Sequence, residues 1–242
     1  MDFLFDLHTH TIACGHAYST LKENMDGAKE AGLLVYGLSE HAEGGPGSCN
    51  NMFFKNLKVL PRNYRGMTIL RGIEADILDY EGNLDADEDI LKRLDYAIAS
   101  LHVVCIRPGT LDQNMRAYFG AMKNPYITIL GHPDDGRYPI DRRALAREAK
   151  KQNVVLELNN SSLNPAASRT NGLENAKELL RCCEREGTSI ICNTDSHYAD
   201  DVGRFARCQA LLEEMHFPPE LVLNNDLVKL KKVLYGEAAG LF

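Results

Sequence analysis

The sequence predicts an α/β barrel folded as one domain across residues 1–242, and three observations predict it. Seven short apolar runs alternate with helix-like segments, and their landmark residues recur at roughly the spacing of a βα unit. Seven of the eight histidines sit at, or just past, the end of such a run. A chain of 242 residues suits an α/β barrel without a second domain. In a parallel barrel the C-terminal ends of the strands converge on one mouth, so side chains placed there meet.

The elements follow in order. Residues 3–7 lead to His8 and His10, residues 33–38 to His41, and residues 68–73 to Glu74. Residues 96–101 lead to His102 and residues 126–130 to His132. Residues 154–158 carry Glu157 and lead to Asn159 and Asn160, and residues 189–192 lead to Asp195 and His197. Between them, Thr20-Leu21-Lys22-Glu23 reads as an N-cap with a capping box, and Gly32 ends that helix. Helices are also expected over 141–152, 173–186, 204–215 and 226–235. Long loops are expected over 42–56 and 103–115, the places where a barrel builds its pocket.

Composition narrows the function. The net charge of −7 argues against a surface that binds a phosphate backbone, so no strong nucleic-acid binding is expected. The seven cysteines are odd in number and form no C-x-x-C pair, which reads as free thiols rather than a disulfide framework or zinc ribbon. No apolar run approaches a membrane span, and the opening residues lack the basic region of a signal peptide. A cytoplasmic protein with no membrane partner is the expectation.

The chemistry lies in the strand-end residues. In an extended strand, positions i and i+2 share a face, so His8 and His10 can bind one ion. His16 follows in the first loop. A carboxylate such as Glu74, buried at a strand end, calls for a cation partner and can bridge two ions. Asp195 and His197 repeat the i, i+2 spacing. Imidazoles and carboxylates gathered in this way are a ligand set for Zn²⁺-like or Mn²⁺-like ions, with Fe also suited. His216, ahead of Phe217-Pro218-Pro219, stands outside the pattern and reads as structural. There is no G-x-G-x-x-G, Walker A, H-E-x-x-H or G-x-S-x-G motif. Ser161 and Ser162 read as hydrogen-bonding residues at the rim.

Together, Asp6-Leu7-His8-Thr9-His10, Glu40-His41, Gly72-Ile73-Glu74, Leu101-His102, Gly131-His132-Pro133 and Asp195-Ser196-His197 resemble the successive motifs of the PHP (polymerase and histidinol phosphatase) superfamily. The strings His16-Ala17-Tyr18-Ser19-Thr20 and Leu156-Glu157-Leu158-Asn159-Asn160-Ser161-Ser162 bring the likeness closest to the stand-alone, YcdX-like bacterial phosphatase branch. The resemblance implies a distorted (β/α)7 barrel of the TIM-barrel type with a trinuclear metal centre. By motif position, His8, His10, Glu74 and Asp195 would hold one ion. Glu74 would be shared with a second ion held by His102 and His132, and His16, His41 and His197 would hold a third. The loop over 42–54, rich in Gly and Asn, looks individual to this chain.

These readings point to a metal-dependent phosphoesterase, foremost a phosphomonoesterase acting on a small phosphorylated substrate. Its nucleophile would be metal-bound hydroxide held by Glu74, Asp195, His8 and His10. Arg169, eight residues beyond Ser161, is a candidate phosphate clamp, with Arg107 and Arg137 weaker ones. Alternatives stay open: a phosphodiesterase or nuclease for small nucleotides, an amidohydrolase-like C–N hydrolase, or a metal-binding PHP module without turnover. A homo-oligomer is compatible with the sequence.

Overall fold

The computed structural model of the protein describes residues 2–236. Strands and helices alternate as expected: β1 (Phe5–Asp6), α1 (Leu21–Glu30), β2 (Val35–Leu38), α2 (Asn51–Asn56), β3 (Asn63–Tyr64), β4 (Met67–Arg71), β5 (Glu74–Asp76), α3 (Glu88–Leu91) and β6 (Ala97–Ser100). There follow α4 (Leu111–Ala121), β7 (Ile127–Leu130), α5 (Arg142–Gln152), β8 (Val155–Asn159), α6 (Gly172–Glu186), β9 (Ile190–Asn193), α7 (Ala206–Glu214) and α8 (Leu227–Tyr235). The capping box read from the sequence holds, and a further cap stands at the start of α5. Thr20 and Glu23 form the reciprocal box at the start of α1, and Asp141 accepts from Arg143 and Ala144 at the start of α5.

The expected barrel is not one continuous ladder. The strands form two sheets, β1-β2-β4-β3 and β5-β6-β7-β8-β9, parallel throughout except for the short antiparallel β3. The expected strand over 68–73 is split at Gly72-Ile73, so Glu74 opens β5 instead of following a strand. The cause is Tyr96. Its hydroxyl donates to the carbonyls of Leu7 and Leu38, and a Cβ on Gly72 would lie 2.2 Å from its ring. Both expected long loops are also shorter than read, because Asn50 caps α2 and the Thr110–Gln113 capping box starts α4.

Both seams between the sheets are bridged. At one, His41 pairs with Glu74 in a parallel bridge, with Glu74 N–H donating to the Glu40 carbonyl. At the other, Thr9 pairs with Ser196, and side chains replace the missing ladder. Asn224 accepts from Cys192 N–H at 2.7 Å and donates to the carbonyls of Cys192 and Phe5. Asn193 accepts from Leu7 N–H.

Side-chain parity builds the interior in layers. Val35, Leu70, Ile98, Ile129, Val155 and Ile191 belong to one apolar plug inside the strands. Because strand side chains alternate, residues two further along face the same way. These are Gly37, Gly72, Ser100, Gly131, Glu157 and Asn193. Another two positions bring Glu74, His102 and Asp195, so the ligand-type residues sit on a small, polar layer above the plug.

Candidate metal centre

His8 and His10 leave β1 fully buried, and their Nε2 atoms face two carboxylates. His8 Nε2 lies 3.1 Å from Glu74 Oε2 and 3.6 Å from Asp195 Oδ1, and His10 Nε2 lies 3.3 and 3.4 Å from the same atoms. A tetrahedral ion with bonds of about 2.1 Å requires donor atoms about 3.4 Å apart, so these four atoms have the spacing of a coordination shell. His8 Nε2, His10 Nε2 and Glu74 Oε2 are buried without a hydrogen-bond partner. Orphaned polar atoms of this kind are costly unless a cation occupies the space between them.

Glu74 divides its oxygens. Oε2 faces His8, His10 and, at 3.2 Å, His41 Nδ1. Oε1 lies 3.0 Å from His132 Nε2 and 3.5 Å from His102 Nε2, and accepts from Ser100 Oγ at 2.6 Å. The Nε2 atoms of these two imidazoles are 3.1 Å apart. A third group, His16, His41 and His197, brings donor atoms within 4.8 Å of one another. His41 borders this group and the Glu74 group alike. The structure thus brings together all nine residues picked from the sequence. His216 is outside the cluster and ends α7 with φ of 50°.

Two of the nine need unusual backbone. His132 (φ 31°) and Asp195 (φ 54°) both lie in the left-handed region. Such geometry costs about 1–3 kcal/mol in a non-glycine residue and collects at functional sites. His132 falls on the wrong parity after β7, and the turn re-aims its ring toward Glu74.

Behind the ligand-type residues stands a layer that sequence reasoning left without a role. Glu157 Oε1 contacts His8 Nδ1 at 2.7 Å, while its Oε2 accepts from His132 N–H. Asp76 Oδ1 holds His102 Nδ1, and Glu40 lies 3.8 Å from His10 Nδ1. Carboxylates in these positions fix ring orientation and raise imidazole basicity. A signal existed: Glu157 is a carboxylate at an inward position of an otherwise apolar strand, Asp76 lies at i+2 from Glu74, and Glu40 precedes His41. Cys14 was also missed. Read only as a free thiol, it is buried with its donor atom within 4.8 Å of His10 and His197.

The electrostatics follow from burial and crowding. Burial works against the Glu74 carboxylate, but His8, His41, His102 and His10 outweigh it and hold it well below the usual range. Burial likewise disfavours a charged His8, yet Glu157, Glu74 and Asp195 push it well above the usual histidine range. His10 is raised too, against burial, by Asp195, Glu40 and Glu74. Burial and Arg169 drive His132 down to about 4.

The cluster floors a pocket of about 490 Å³, whose wall includes Arg169. Arg169 donates to Asp195 Oδ2 at 2.9 Å and to Ser162 Oγ at 3.2 Å. The weaker arginine candidates are placed otherwise. Arg137 is held by Asp135 through Nε and a terminal nitrogen, and Arg107 is exposed and does not line the pocket. Ser162 does serve hydrogen bonding at the rim, with its N–H on Asn159.

Among known proteins, the chain is 44% identical over 230 residues to a probable phosphatase of Clostridium novyi, covering 95% of this chain and 93% of the relative. A probable phosphatase of Clostridium acetobutylicum is 45% identical over 234 residues, covering 97% and 95%. One from Caldicellulosiruptor bescii is 45% identical over 222 residues, covering 92% and 91%. No protein-family model matches the sequence. In fold, the chain is similar to histidinol phosphate phosphatase from Lactococcus lactis, solved with zinc, L-histidinol and phosphate. That likeness has a TM-score of 0.62 at 17% identity and covers 88% of this chain and 94% of the neighbour. A chain of archaeal ribonuclease P solved with mature tRNA shares the fold at TM-score 0.52 and 14% identity, covering 88% and 93%. Relatives and clustered ligand-type residues together define a metal-dependent hydrolase of the phosphatase class. The chain belongs to the family of probable phosphatases represented by the clostridial proteins.

Proposed function

We propose that this protein is a phosphomonoesterase of the PHP superfamily, in its YcdX-like branch, working with three divalent ions, Zn²⁺ or Mn²⁺ with Fe also suited. The observation that carries this reading is Glu74, whose two carboxylate oxygens face two different sets of imidazoles. We read the two bridged sheets as one distorted (β/α)7 barrel, a single domain acting in the cytoplasm on a small phosphorylated substrate. Among the described residues no helix is long and apolar enough to cross a membrane.

His8, His10, Glu74 and Asp195 would hold one ion, Glu74 with His102 and His132 a second, and His16, His41 and His197 a third. Bound there, the ions would supply Lewis acidity toward phosphate oxygens and make water nucleophilic near neutral pH. Glu157 and Asp76 keep the rings of His8 and His102 aimed inward. Arg169, anchored on Asp195 and Ser162, is positioned to bind a non-bridging phosphate oxygen. In this reading water is the nucleophile; among the described residues the hydroxyls of Ser48, Ser161 and Ser168 on the pocket wall have no histidine or carboxylate base bonded to them.

The deciding experiment is turnover of p-nitrophenyl phosphate and of its diester in ¹⁸O-labelled water. A monoester preference, with one solvent oxygen in each released phosphate and no trapped phosphoenzyme, is expected. A strong diester preference would overturn the monoesterase reading in favour of a nuclease-like one.

A further inference from the structure

The alcohol half of the substrate is legible in the pocket wall, given the phosphatase reading above. Among the pocket's described lining residues, histidines apart, Arg169 is the one cationic side chain. Its guanidinium is already engaged with Asp195 and Ser162 and faces the floor where the phosphate would bind. Among the described lining residues no second arginine or lysine is left to neutralise a further phosphate or a carboxylate. The two acids of the lining are equally committed: Asp76 to the His102 ring, Asp195 to Arg169 and the histidines. A substrate ammonium therefore finds no free carboxylate, and burying it unpaired would be costly. Among the described lining residues there is no phenylalanine, tyrosine or tryptophan, and the histidine rings are taken up by the cluster, so a nucleobase has no free ring to stack on.

What remains is small and neutral. Pro46 and Ser48 come from the loop after β2, Val104 from the loop after β6, and Ala167 and Ser168 from the loop after β8. The serine hydroxyls can both donate and accept, which suits an alcohol rich in hydroxyl groups. A volume of about 490 Å³ lies in the range of small-molecule sites. We infer that the substrate is the monophosphate ester of a compact, uncharged, polyhydroxylated alcohol, a sugar or polyol monophosphate. The loop over 42–50 and the loop carrying residues 161–169 set that choice.

The test uses the metal-loaded protein with p-nitrophenyl phosphate as the generic ester. Against it stand glycerol 3-phosphate, a hexose 6-phosphate, fructose 1,6-bisphosphate, AMP and L-histidinol phosphate. At least tenfold higher kcat/KM for a polyol or hexose monophosphate than for the other three natural-type esters is expected. Ser48→Ala and Ser168→Ala should each lower kcat/KM for the preferred polyol ester about three- to tenfold, the worth of one hydrogen bond, and lower it less for p-nitrophenyl phosphate. Equal or faster cleavage of AMP, the bisphosphate or the amino-alcohol ester would overturn the inference, and so would serine variants that slow all esters alike. Cleavage of p-nitrophenyl phosphate with no polyol ester turned over would overturn it while leaving the phosphatase reading intact. Failure on every ester, p-nitrophenyl phosphate included, would overturn both.

Discussion

Glu74→Gln removes one charge from the centre of the site and preserves its shape. Because its two oxygens face separate sets of imidazoles, the amide should lower the metal content of both sets. Elemental analysis is expected to find close to three ions per chain in the wild type and at most one in this variant. His216→Ala, outside the cluster, should match the wild type. Arg169→Ala should raise KM if the guanidinium binds ground-state phosphate, and lower kcat if it acts in the transition state; steady-state kinetics separates the two. Protonation gives a further expectation. Despite burial, neighbouring carboxylates raise His8 and His10, so the metal-free protein holds the imidazolium form of both rings to higher pH than a free histidine does. Metal binding must displace those protons, so affinity falls as pH falls. Calorimetry in buffers of different ionisation enthalpy should record net proton release on loading, and no release would contradict the assignment of these two rings.

At the level of elements, Asn224 is one of the side chains that join the second seam, with Asn193 beside it. Asn224 makes three hydrogen bonds to backbone groups of β1 and β9, and its side chain is wholly buried. Asn224→Ala leaves the Cys192 amide and two carbonyls unpaired, at a cost of about 2–4 kcal/mol. For a chain of this size that corresponds to a Tm lower by roughly 5–15 °C, measurable by calorimetry. At the break between β4 and β5, only glycine at position 72 admits the ring of Tyr96. The capping box of α4 fell within a stretch read as loop, whereas that of α1 was legible in the local sequence. The break was not legible, since the residue packed against it lies 24 positions away.

For the whole molecule, the centre ties together the ends of β1, β2, β6, β7 and β9 and the start of β5. Each ion bound to the native state alone would stabilise it by mass action, about 4 kcal/mol per site at a thousandfold excess over Kd. Chelation should therefore lower Tm by about 8–16 °C for each site emptied, and either Zn²⁺ or Mn²⁺ should restore it. If chelation left Tm unmoved while activity was lost, the ions would be catalytic without holding the strand ends together.

The sequence by itself determined the α/β alternation, the capping box of α1, and which nine imidazole and carboxylate residues would come together. Each of these rests on short-range chemistry: strand parity, side-chain caps, and imidazoles or carboxylates placed at the ends of apolar runs. Only the tertiary structure decided which ligand-type residues face which oxygen of Glu74, and that Glu157, Asp76 and Glu40 stand behind the rings. It also decided that Cys14 lies beside His10 and His197, that the ladder divides into two sheets, and that Arg169 rests on Asp195. The physical reason is distance along the chain. Contacts such as His8 with Glu157 or Arg169 with Asp195 join residues 149 and 26 positions apart, and no local pattern encodes which remote partner the packing will present.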